Sequence, residues 1–294
     1  MAANTRDIRR RIKSVKNTSQ ITKAMQMVAA AKMRKAQTAA LAGRPYAELL
    51  NRVLASVAEA REEGGHELLE ERGKGRHLVI VISTDKGLCG ALNTNLLREV
   101  AKFDPKETAF VVVGRKALQW LVRNQREVLA DFELKEGASF LQVKAVSKFA
   151  MKKFTDKEFS RVSVVFTDFV NTLTQVPKER PLLPVGSFSV QVGVAGAAET
   201  AVLPVDQPVT DYQFEPGAGA VLDAILPHYV HFQVFQMLLD ARASEHSARM
   251  VAMKNATDNA KQIIKDLTLE YNKIRQASIT TELLEITTAQ MALG

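Results

Sequence analysis

Few places in this chain could do chemistry. The stretch "DKGLCGALN" (85–93) follows the β-branched run "HLVIVIST" (77–84) and precedes a helical pattern, the place where a strand-to-helix turn can cradle phosphate. Its glycines, Gly87 and Gly90, fit neither G-x-G-x-x-G nor G-x-x-x-x-G-K-S/T, and no Lys-Ser or Lys-Thr pair follows. Cys89 in the same turn would be a nucleophile if a histidine or a helix N-terminus lowered its pKa. No histidine lies near it in sequence, so a small apolar residue in a tight turn is the better reading. Of five histidines only His228 and His231 are close together, too few for a metal site. No catalytic constellation emerges, and neither a cofactor nor a metal is expected.

Composition narrows the class. The chain has 294 residues, 46% hydrophobic and 24% charged, which suits one or two soluble domains. No run of eighteen apolar residues exists, so no transmembrane segment is expected. A single cysteine excludes an internal disulfide and points to a reducing compartment. The net charge of +8 is uneven: residues 1–44 hold eleven Lys and Arg against Asp7, and the remainder is slightly acidic. That Arg-rich start resembles a transit peptide, but its helical pattern runs past residue 36 without a cleavage-like break. A nucleic-acid-binding coiled-coil adaptor is the alternative class. Against it, residues 1–45 contain no aromatic to stack on bases.

Two segments look like long helices. Between Pro227 and Gly294 lie 66 residues without Gly or Pro. As one helix they would run roughly 100 Å, too long for a compact domain to contain. In the first segment Ile8, Ile12, Val15, Ser19, Thr22, Met25, Ala29, Met33 and Ala36 recur at close to 3.5 residues. Near the other end Ala260, Ile263, Leu267, Glu270, Ile274, Ala277, Thr281, Leu284, Thr288 and Met291 alternate steps of 3 and 4. Such repeats keep one seam on a partner helix. Both seams are thin in large side chains, so the pair should pack closely but weakly.

Between them the sequence changes character. "HLVIVIST", "TAFVVVG" (108–114) and "RVSVVFTDF" (161–169) read as strands buried on both faces, alternating with the helical stretches 92–103 and 140–154. That alternation predicts a parallel sheet with crossover helices. The fold expected is therefore α/β: a long antiparallel coiled coil of the N- and C-terminal helices with an inserted Rossmann-like α/β domain. The boundaries expected are 1–61 for the first helix, 76–190 for the insert and 209–294 for the second helix. Gly43 and Pro45 should kink the first helix rather than break it, and Gly186–Pro208 should lead out of the insert.

With those features in hand, the chain resembles the gamma-subunit family of F-type ATP synthase. The resemblance rests on "ITKAMQMVAAAKMRKAQ" (21–37), "STDKGLCGALN" (83–93), "SEHSARMVAMKNATDNA" (244–260) and "LTLEYNKIRQASITTELLEI" (267–286), in that order around the insert. "TDFVNTLTQVP" (167–177) adds weaker support, and the dithiol loop of photosynthetic relatives is absent. The resemblance implies a non-catalytic rotor shaft. It would be turned by a membrane c ring inside a hexamer of three alpha and three beta subunits, at the cytoplasmic face of a bacterial inner membrane. It implies that Met25 and Arg249 face beta-subunit loops, and that Arg275, Gln276 and Thr280 engage the beta catch loop. Lys16, Lys23 and Lys32 would meet an acidic beta segment, and Tyr212 and Glu215 the epsilon subunit and c ring. The apolar end, Ile279, Leu283, Leu284, Ile286 and Met291, would turn in an apolar sleeve of the hexamer, with about 36 Å of helix outrunning its partner.

Overall fold

A computed structural model describes residues 2–59, 66–73, 75–135, 137–186 and 214–293. The expected exit from the insert beyond Gly186, and Tyr212, lie outside the described residues. The chain separates into two compact units: Met1–Ala29 with Met250–Gly294, and Ala30–Arg249.

The first unit is a pair of antiparallel helical stretches, the start of α1 (Ala2–Ala42) and the end of α6, whose whole span is Ala218–Leu293. Thr22 Oγ1 and Thr257 Oγ1 lie 2.7 Å apart in a buried hydrogen bond. Arg9 donates to the Tyr271 hydroxyl and stacks 5.3 Å over its ring. Partner numbers fall on one helix as they rise on the other, so the strands of the coil run in opposite directions. On α1 every seam position from Ile8 to Ala29 is buried or half-buried, as the spacing predicts. On α6 only alternate expected positions hold. Ala260, Leu267, Ile274 and Thr281 turn inward, but Ile263, Glu270 and Ala277 are exposed, and Ile264, Tyr271 and Ser278 take their places. The steps are the same 3 and 4 in the other order. Adjacent Ile263 and Ile264 leave that order open, and Tyr271 faces inward, where its hydroxyl accepts from Arg9.

The second unit is a three-layer α/β/α arrangement. Its sheet runs β3-β2-β1-β4-β5, with β1 (His77–Ile82), β2 (Thr108–Val113), β3 (Val128–Phe132) and β4 (Arg161–Phe169) parallel. At the edge, β5 (Gln175–Leu183) pairs antiparallel with β4, so the sheet is mixed rather than wholly parallel. The continuous apolar runs of β1 and β2 are buried throughout because helices cover both faces. Period-two alternation divides their side chains. Val79, Val81, Phe110, Val112 and Val165 meet α3 (Leu92–Val100) and α4 (Arg115–Arg123). Leu78, Ile80, Val111, Val164 and Phe166 lie in the opposite core with α2 (Arg44–Glu59), α5 (Phe140–Thr155) and the beginning of α6.

Gly43 alone separates α1 from α2, and the backbone N–H of Ala47 still donates to its carbonyl at 3.0 Å. The division falls there because Pro45 has no N–H to continue the ladder. The Cβ of any other residue at Gly43 would stand 3.2 Å from Gln236 Oε1 and 3.4 Å from Phe232. Pro227 lies inside α6, which starts at Ala218. Part of the extra length of α6 therefore lies at its beginning, where Gly43 is level with Gln236. At the other end the register brings Ala2 level with about Ser278. The unpaired end, Ile279–Leu293, is then roughly 22 Å rather than 36 Å.

Candidate functional site

In an open parallel α/β sheet, ligands bind beyond the carboxyl ends of the strands, at the point where the strand order reverses. Here that point lies between β1 and β4, since the chain goes from β1 to β2 on one side and to β4 on the other. The crevice is filled by the chain itself. Ala241, Arg242 and Glu245 of α6 close over Ser83, Thr84 and Thr167 and leave a void of about 10 Å³. That is no more than one water requires.

The plug is ionic. Arg242 approaches Asp85 at 3.9 Å, pairs with Glu245 at 3.3 Å and donates to the Leu134 carbonyl at 2.8 Å. Glu245 also pairs with Arg249 at 2.8 Å, so one buried carboxylate stands between two guanidiniums on successive turns of α6. Arg249 reaches further, donating to the carbonyls of Lys86 and Gly87 at 3.3 Å. The turn is fastened from its other side as well. Asn93 Nδ2 donates to Thr84 Oγ1 at 2.8 Å and to Cys89 Sγ at 3.3 Å, and Thr84 Oγ1 donates to Lys86 O. Cys89 is buried, and burial pushes its thiol pKa up despite the Arg249 charge nearby, the opposite of an activated nucleophile. Leu88, with φ +63°, is left 64% exposed at the tip of this turn.

Two buried histidines lie elsewhere in this unit. His231 meets Ser147 Oγ at 2.6 Å and His77 meets Ser163 Oγ at 2.8 Å. Burial lowers both pKa values to about 4, helped by Lys144 at His231 and by Arg161 at His77. Each imidazole therefore fills the core as a neutral ring. Among the described residues no group of His, Cys, Asp and Glu is arranged to hold a metal, and no helix is long and apolar enough to cross a membrane.

Residues 4–293 match the family model described as ATP synthase. The ATP synthase gamma chain of Methylacidiphilum infernorum is 48% identical, over 99% of this chain and 100% of that one. That of Opitutus terrae is 50% identical, over 99% of each. This chain belongs to the ATP synthase gamma-chain family. The fold agrees: a rotor structure from the Euglena gracilis mitochondrial ATP synthase superposes with a TM-score of 0.67 at 20% identity, over 95% of this chain and all of that one. A Tetrahymena thermophila central-stalk structure gives 0.57 over 80% of this chain and 99% of that one. Gamma chains are non-catalytic subunits, which accords with a crevice packed by the chain's own arginines.

The residues expected to meet partners fall in several places. Lys16, Lys23 and Lys32 are exposed on α1, and Met25 is half-buried in the seam. Arg249 is turned toward the 85–90 turn and Glu245. Arg275, Gln276 and Thr280 are exposed together on α6, with Thr280 Oγ1 donating to Gln276 O at 3.0 Å. Glu215 is exposed ahead of α6. Ile279, Leu283, Leu284, Ile286 and Met291 are between 49% and 84% exposed. Asp85 and Glu245 lie within the matching motifs, whereas Arg242 lies just ahead of the one that begins at Ser244. The signal was available: Arg242, Glu245 and Arg249 at i, i+3 and i+7 share one helix face.

Proposed function

We propose that this chain is the central rotor stalk of an F-type ATP synthase, transmitting torque between a membrane c ring and an alpha/beta catalytic hexamer. The observation that carries the reading is the end of α6. Five large apolar side chains stand at least 49% exposed beyond the reach of α1. Soluble chains rarely present such a stretch without a partner to cover it. A sleeve of apolar residues suits a shaft that turns, because hydrophobic contact is non-directional and favours no particular angle. Just below, Arg275, Gln276 and Thr280 offer directional hydrogen bonds to a beta-subunit catch loop. Lys16, Lys23 and Lys32 supply positive charge for an acidic beta segment, while Met25 and Arg249 lie close to beta-subunit loops. Glu215, with Tyr212, belongs to the foot that meets the epsilon subunit and c ring.

The chain performs no bond chemistry. Each shaft angle contacts the three beta subunits differently and so shifts their conformational equilibria, and by reciprocity nucleotide turnover biases the angle. The complex works at the cytoplasmic face of a bacterial inner membrane, with this subunit held peripherally through its partners. Co-purification tests the reading. Recovery with three alpha and three beta subunits, together with ATP-driven rotation of a bead attached to the chain, supports it. A monomer free of those partners overturns it.

A further inference from the structure

We propose that Asp85, Arg242 and Glu245 form a force-bearing latch at the closed crevice. These are positioning residues that grip the 85–90 turn of the α/β unit to α6, so that rotation and ATP turnover stay coupled. The inference rests on the rotor reading and adds a torque joint to it.

The starting point is that this cluster is a poor way to gain stability. Glu245 and Arg242 have side chains only 7% and 15% exposed, and taking such groups from water is costly. Well-packed hydrocarbon of the same volume often holds a core equally well. What an ionic cluster supplies instead is direction. Arg242 is held from three sides, by Asp85 after β1, by the Leu134 carbonyl after β3 and by Glu245 on its own helix. Asp85 Oδ1 in turn accepts from the backbone N–H of Arg115 at 3.2 Å, which ties in the start of α4. A side chain bonded along several axes resists sliding in any of them, whereas apolar surfaces slip past one another at little cost. The apolar end of α6 has the contact suited to turning freely. The crevice has the contact suited to not turning at all.

Cys89, the chain's single cysteine, reports on the joint because it is buried in the gripped turn. The decisive variant is Arg242→Met with Glu245→Met, which keeps volume and burial and removes the directional bonds of these two side chains, while Arg249 keeps its bonds to the Lys86 and Gly87 carbonyls. In the assembled, membrane-reconstituted complex we expect its melting temperature to stay within a few degrees of wild type. Maleimide labelling of Cys89, read by mass spectrometry, should rise at least tenfold. Protons pumped per ATP should fall at least twofold while hydrolysis continues. Asp85→Asn, which alters charge but not shape, should give the same signs more weakly and serves if the double variant fails to fold. Unchanged Cys89 labelling overturns the latch, and so does faster labelling with an unchanged pumping ratio. A wild-type complex that neither assembles nor pumps would instead overturn the rotor reading itself.

Discussion

Between Gln236 and Ser247, α6 buries Gln236, Ser244, Glu245, His246 and Ser247 to 5% exposure or less. From Ile279 to Met291 the same helix leaves leucines and isoleucines in the open. One helix thus places polar groups inside at one stretch and hydrocarbon outside at another. The difference shows that burial within the chain and burial within an assembly are separate design problems. The first stretch is covered by its own unit, where Glu245 and Ser247 find partners while the side chains of Gln236 and Ser244 are buried without one among the described residues. The second is finished only by something outside the chain, so its leucines are the counterpart of an interface core.

Deleting Ile279–Gly294 should break this comparison most visibly. The isolated chain should unfold at nearly the same denaturant concentration as before, because among the described side chains of this end only Thr281 turns inward and the large apolar ones are at least 49% exposed. The assembled complex should lose several kcal/mol, since a buried Leu or Ile contributes roughly 1.5–3 kcal/mol. Paired denaturation curves, isolated and assembled, check it, and equal losses in both would show the end to be part of the chain's own core.

Leu54→Ala is the converse test. Leu54 is fully buried on α2, so its truncation should cost the isolated chain about 3 kcal/mol. Leu284→Ala, at 60% exposure, should cost the isolated chain less than about 0.5 kcal/mol. Urea midpoints at constant m-value decide between these outcomes.

The buried histidines give the next largest effect. His77 and His231 have folded pKa values lowered to about 4 from 6.5, so the unfolded chain binds protons more readily between those limits. Stability is therefore full above pH 6.5 and falls as pH drops toward 4, by on the order of 1–3 kcal/mol per histidine. His231→Gln should flatten part of this slope. Urea midpoints from pH 7.5 to 4.5 measure it, and an unchanged slope would mean that His231 titrates alike in the folded and unfolded chain.

In the coil, Thr22→Val should cost no more than about 1 kcal/mol, since Thr257 Oγ1 still donates to the Met253 carbonyl at 2.8 Å, and Thr22→Val with Thr257→Val should cost less than the sum of the two single changes. A double-mutant cycle on the isolated chain reads this smallest effect; additive losses would mean the two hydroxyls do not interact.

The sequence was most legible where one property decides position. The seam of α1 could be read from its start because inward residues there are flanked by charge, as Ile8 is by Asp7 and Arg9 and Ile12 by Arg11 and Lys13. The α6 seam was legible in period but not in phase, because Ile263 and Ile264 are equivalent as sequence and the deciding contact is Arg9 on Tyr271, more than 250 positions away. The buried strands β1, β2 and β4 announced themselves as β-branched runs. β3 contains Asp131 and β5 contains Pro177 and Pro181, and both lie at sheet edges, where apolar continuity is not required. At the site, the motifs located the 85–90 turn and Arg249. That Arg242 and Glu245 close the crevice depends on the α/β sheet and the last helix meeting across 150 residues of chain, which local spacing cannot convey.

The two prolines of β5 bear on the life of the chain before its partners arrive. An open sheet edge invites strands from other molecules, and the invitation is made by outward N–H groups. Because β5 keeps its ladder to β4 through Pro177 and Pro181, the hydrogens those residues lack are missing from the open side. A newly synthesised chain therefore meets its neighbours with a blunted edge. It can wait in a crowded cell for a hexamer to form around it without recruiting copies of itself into an aggregate.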